Sequence, residues 1–178
     1  MGKLISTVFT IVALLAWDQA ARAAIMFDYQ GNNFTNVVSP YSTGDNVSGW
    51  IELASELQAN ANDLTLAPVA FSFTDGVQTI TNLNALIATF NDVDTDIDGL
   101  PVEWNIQLCI DAGCSTNAIE TIDALGLRID TATSGGVTVL VSDDPGSWEY
   151  KTVPEPATIS LVGIGLAGLA CLRRRKRQ

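Results

Sequence analysis

The chain has 178 residues, with 20 acidic and nine basic side chains, no histidine and three cysteines. That length holds one domain with a buried core but not two independent ones, and the missing histidine removes the commonest general base and the commonest nitrogen ligand for a metal. Basic residues crowd the ends: residues 24 to 153 carry 18 acidic against two basic side chains, a formal charge of -16 that repels nucleic-acid phosphates and anionic lipid and argues against a nucleic-acid partner.

The chain opens MGKLISTVFTIVALLAWDQAARAA, with one early cation at Lys3, an apolar run from Leu4 to Trp17, and the small-residue pattern Ala21-Arg22-Ala23. This is the order of parts in a secretory signal peptide, residues 1–23, with cleavage expected after Ala23. A membrane-anchoring helix is the alternative, but the run is short for a span of about 20 residues and the cleavage pattern follows it. Export is therefore expected.

Residues 24–153 read as short strands separated by Gly, Asn, Asp and Pro. Asn33 and Asn46 open NFT and NVS, the glycosylation acceptor pattern, which recurs by chance in Asn- and Thr-rich sequence. The stretches SELQANANDL (residues 55–64) and TNLNALIATF (residues 81–90) permit a helical reading, yet Asn and Thr dilute both. In PVAFSFTDGVQTI, Val69, Phe71 and Phe73 alternate with small residues, and Asp75-Gly76 supplies the positive φ angles of a hairpin turn. In PVEWNIQLCI, Val102, Trp104, Ile106 and Leu108 share one face, and Glu103, Asn105 and Gln107 the other. GGVTVLV and GSWEYKTV add β-branched and aromatic runs bounded by glycine. Five to nine strands fit the length, and the expected fold is all-β: an antiparallel sandwich, jelly-roll or Ig-like.

Three constellations carry candidate chemistry. In DTDIDGLPVEWN, Asp94, Asp96 and Asp98 before Gly99 match the first half of a calcium loop, but the twelfth position is Asn105 where a bidentate glutamate is required. An acidic turn between strands, bent by Asp-Gly, is the competing reading; apart from this calcium candidate no cofactor is expected. Cys109 and Cys114 bracket a glycine-containing turn, and in an exported chain two thiols so close are expected to form a disulfide. Trp50, Trp104 and Trp148 are candidates for a sugar-stacking platform, or for core positions at alternating strand sites. Carboxylate pairs such as Asp92 with Asp94, or Asp143 with Asp144, give no cleft by spacing alone, and no catalytic residue is assigned.

Residues 154–178 hold Pro154-Glu155-Pro156, an apolar run from Thr158 to Leu172 broken only by Ser160 among its polar types, and the cluster Arg173, Arg174, Arg175, Lys176 and Arg177. The run is marginal as a membrane span, and the cationic cap would hold that end in the cytoplasm. Cys171 lies within it. Triplet, apolar run and basic cluster in this order resemble the PEP-CTERM sorting signal of Gram-negative bacteria that make exopolysaccharide. The resemblance implies recognition by the membrane protease-transferase exosortase, removal of the tail near the triplet, and a path from inner-membrane precursor to cell surface or matrix. The order SGWIELASEL, LAPVAFSFTDGVQTIT, FNDVDTDIDGLPVEWNIQL also resembles a loosely defined β-rich ectodomain among PEP-CTERM proteins, which implies a fold and adds no chemistry. The expected function is a non-enzymatic surface or matrix protein with a structural or adhesive role in exopolysaccharide or biofilm. A carbohydrate- or calcium-binding module and a carboxylate-based hydrolase are the alternatives.

Overall fold

The computed structural model describes residues 25–151, and every regular element among them is a strand. In chain order these are β1 (Ile25–Asn33), β2 (Asn46–Leu53), β3 (Ala70–Thr74), β4 (Thr79–Thr81), β5 (Ile87–Thr95), β6 (Pro101–Cys109), β7 (Asn117–Ala124), β8 (Leu127–Ser134), β9 (Val137–Ser142) and β10 (Ser147–Lys151). Ten strands exceed the five to nine expected. The excess arises because β7 and β8 turn Thr121, Asp130 and Thr133 inward, so their alternation is not one of apolar with polar residues.

Two antiparallel five-stranded sheets result, ordered β10-β1-β2-β3-β4 and β5-β6-β7-β8-β9. The second is a simple meander, whereas the first closes its edge with the last strand, β10, laid antiparallel on β1 from Met26↔Lys151 to Gln30↔Ser147. The sandwich class is thus as the sequence predicts. The segments open to a helical reading form loop 55–64 and the turn that leads into β5.

Side-chain alternation puts one row of each sheet into the interior. In the first sheet the pairs Tyr29↔Trp148, Tyr29↔Gly49, Gly49↔Phe73 and Phe73↔Ile80 define that row. Gly49 leaves the space that the rings of Tyr29 and Phe73 share, with centroids 6.2 Å apart, and a Cβ there would lie 2.6 Å from Phe73 Cγ. Tyr29 also packs on Trp148 at 5.0 Å and edge-on to Trp104 at 5.7 Å, so four aromatics from both sheets meet at the centre. Such edge-to-face contacts add to what area burial alone contributes.

Two positions depart from the expected faces. Val102 is 47% exposed although Trp104, Ile106 and Leu108 are buried. The β5–β6 register shifts between Asp94↔Glu103 and Thr95↔Pro101, so Val102 is an extra residue and the parity of the strand breaks there. Val69 is 54% exposed because it precedes β3, although its N–H still reaches Glu52 O. At the β3–β4 hairpin only Gly76 takes positive φ (90°). Asp75 acts through its side chain, accepting from the N–H groups of Val77 and Gln78, each at 2.8 Å.

Candidate functional site

The outward rows of the first sheet carry the face with the most varied chemistry. Directly opposed residues share a face, and the pairs Glu149↔Asp28, Asp28↔Trp50 and Trp50↔Ser72 set an indole between two acids and a hydroxyl. One step along, Ser147↔Gln30 and Gln30↔Ser48 add an amide and hydroxyls. Trp50 is half-buried, and the open depression over it, about 480 Å³, is lined by Asp28, Gln30, Ser48, Glu149 and Lys151. Lys151 donates to Asp28, with Nζ 3.0 Å from Oδ2, leaving Glu149 as an exposed carboxylate with no cation beside it among the described residues.

A buried polar chain braces this sheet from behind. Trp104 Nε1–H donates to Thr121 Oγ1 at 2.8 Å, Thr121 donates to Tyr29 Oη at 2.8 Å, and Tyr29 donates to Asp130 Oδ1 at 2.7 Å. The Gly146 N–H adds a further bond to Tyr29 Oη at 2.7 Å. Burial pushes the Asp130 carboxyl up to about 6, and the Thr121 and Tyr29 hydroxyls and the Gly146 N–H pull it part of the way back. The same burial, with Asp130 beside it, raises the Tyr29 phenol above its ordinary range. A second buried acid, Asp75, accepts from Tyr41 Oη at 2.8 Å and from Gln78 Nε2 at 2.9 Å, while Gln78 also donates to Thr133 O and so ties the hairpin to the opposite sheet.

The sequence candidates separate in space. Trp104 and Trp148 are core residues, each 3% exposed, so of the three indoles Trp50 is the one that faces outward. Burial in the inward row excludes Trp148 as a platform. Asp94, Asp96 and Asp98 do not converge: Asp94 accepts from the Asp63 N–H at 2.7 Å, and Asp96 folds back on the N–H groups of Asp98 and Leu100 at 2.9 and 2.8 Å. Among the described residues no group of three acidic or thiol side chains is placed to hold a metal. Gly99, at φ 78°, makes the bend.

Cys109 and Cys114 are joined, with Cα atoms 5.1 Å apart. Within the loop Asp111 accepts from the N–H groups of Asn117, Ser115, Thr116 and Gly113 and from the Thr116 hydroxyl, and these bonds hold its carboxyl well below the usual range. Replacing both cysteines by alanine is expected to lower unfolding free energy by about 2 kcal/mol, because the crosslink restricts a short loop of the unfolded chain. Urea titration of the double variant checks this, and no change in midpoint would show that the Asp111 bonds alone suffice.

Ala21 and Ala23, the Pro154-Glu155-Pro156 triplet and the cluster Arg173, Arg174, Arg175, Lys176 and Arg177 lie outside the described residues. Residues 152–176 match the family model of the PEP-CTERM protein-sorting motif. No curated protein and no solved structure matches the chain. The motif implies export and a membrane-anchored precursor before sorting. The match begins in sequence at the residue after Lys151, the last of the described residues. The chain accordingly carries a PEP-CTERM protein-sorting motif at residues 152–176, C-terminal in sequence to an acidic two-sheet sandwich.

Proposed function

We propose that this protein is a non-enzymatic component of the cell surface or extracellular matrix, delivered by an exosortase-type system and acting structurally or adhesively in the exopolysaccharide layer. The sorting motif at residues 152–176, contiguous with the last strand, carries the reading. Its residue types suit a processing enzyme, because prolines such as those at 154 and 156 disfavour helix and such an enzyme needs an accessible backbone. The lack of histidine and the strongly acidic composition favour a soluble, non-catalytic surface over a hydrolase.

Mass spectrometry of the protein recovered from its own cells tests this. The expected mature chain stops near the triplet and lacks the basic cluster, and a chain still ending in Arg173–Arg177 would sink the reading. Replacing Pro154, Glu155 and Pro156 together by alanine is expected to leave the tail in place and the protein in the membrane fraction.

A second reading, a carbohydrate-binding module, is favoured by one observation: Trp50 sits half-buried at the floor of an open, polar-rimmed depression.

A further inference from the structure

We propose that the outward face of the β10-β1-β2-β3-β4 sheet binds an uncharged hexopyranose polymer, with the Trp50 indole as the stacking platform. The proposal deepens the exopolysaccharide reading and rests on it for where the domain works.

A pyranose ring has an apolar face of C–H groups and a rim of hydroxyls. The first needs a flat aromatic surface, and the second needs acceptors and donors set around it at sheet spacing. Trp50 offers the surface. Asp28 lies directly across from it on one side and Ser72 on the other, with Gln30 and Ser48 one step along and Glu149 beyond Asp28. At about 4.8 Å between strands, the row Glu149, Asp28, Trp50, Ser72 spans about 14 Å, the length of an oligosaccharide more than of one sugar. The depression, which takes in Glu149, Asp28 and Trp50 of this row, is open to solvent, which suits a polymer passing across it over a terminal sugar held in a closed pocket.

Charge selects among polymers. Lys151 pairs with Asp28, so among the described residues the depression carries two carboxylates, Asp28 and Glu149, against one ammonium, within a domain of formal charge -16. A uronate or sulfate group brought to this face meets like charge, whereas neutral hydroxyls donate to the carboxylates in charge-assisted bonds.

The strand that carries Trp50 is anchored from the interior side. Behind Trp50, the inward neighbour Gly49 lets Tyr29 and Phe73 pack together, and Tyr29 is fixed by Asp130, Thr121 and Gly146. A braced strand lowers the backbone ordering cost of binding.

The test follows the indole N–H resonances of the full chain while uncharged gluco-, manno- and galacto-oligosaccharides are added, with oligogalacturonate as the charged comparison. The Trp50 resonance is expected to move saturably with at least one uncharged series, while those of Trp104 and Trp148 stay put. Trp50→Ala is expected to weaken retention on the corresponding immobilised polymer at least tenfold while staying folded by circular dichroism, and Trp50→Phe to keep part of it. A Trp50 resonance unmoved by every uncharged series, equal or tighter binding of oligogalacturonate, or full retention by Trp50→Ala would each overturn the proposal. Tail removal, read by mass, separates the two claims: normal processing with a silent Trp50 rejects the sugar site alone, and a retained basic cluster rejects the sorting reading.

Discussion

Tyr29→Phe is expected to lower unfolding free energy by about 3 kcal/mol at pH 7 and by less at pH 5. The lost hydroxyl donates to Asp130 and accepts from Thr121 and from the Gly146 N–H, so its removal takes one hydrogen-bond partner from each of three groups. The pH dependence follows from Asp130, whose carboxyl titrates near 6 in the folded domain against an ordinary value of 3.8. Between these values the native state holds a proton that the unfolded chain releases, so the contribution of this group to stability is full below about pH 4. It falls as pH rises through 6, by about 3 kcal/mol in all. At pH 7 the charged carboxylate depends on the Tyr29 donor, and at pH 5 most of the charge is gone. Urea unfolding of wild type and variant at both pH values measures the difference. Asp130→Asn should remove the slope between pH 4 and 6, and an unchanged slope would show that another acid carries it.

Gly49→Ala is expected to cost about 3 kcal/mol, a large effect for one methyl group. The added carbon would collide with the Ser72 carbonyl, which is backbone, and lie 2.6 and 2.7 Å from two atoms of the Phe73 ring. Neither neighbour yields freely, because Ser72 is registered to Trp50 and Thr81 in the ladder and Phe73 is fully buried. The control is Gly44→Ala, where nothing lies within 4 Å of the new carbon and φ is not positive, so a change within about 0.5 kcal/mol is expected. Thermal unfolding of both distinguishes them, and equal midpoints would refute the packing account.

The sequence showed the sandwich where apolar and polar residues alternate, as in Trp104, Ile106 and Leu108 on β6 and Phe71 and Phe73 on β3. It concealed β7 and β8, because Thr121, Asp130 and Thr133 point inward and are satisfied by partners from distant parts of the chain or from the next strand: Tyr29 lies 101 residues from Asp130. A buried acid bonded across that separation leaves no local pattern. The bulge that turns Val102 outward is equally silent, since it depends on the register of β5. The outward tryptophan was half legible: three tryptophans were candidates, but only pairing shows that Trp50 shares a row with Asp28 and Trp148 a row with Tyr29. The cysteines and the sorting tail were readable because each rests on short spacing within one stretch.

The attachment of β10 has a mechanical consequence. While the tail is anchored, any pull on the domain enters at Lys151 and must pass into β1 through the five registered pairs from Met26↔Lys151 to Gln30↔Ser147. A tug along the axis of β10 loads those pairs together, in shear, so the shortest strand of that edge resists as a unit. Tension between residues 25 and 151, which leave the same end side by side, would instead peel the pairs one by one from Met26. On the proposed site a glycan held at Trp50 would lie one strand further in, on β2, so a line of force from polymer to anchored tail would cross the three adjacent strands β2, β1 and β10 of the first sheet.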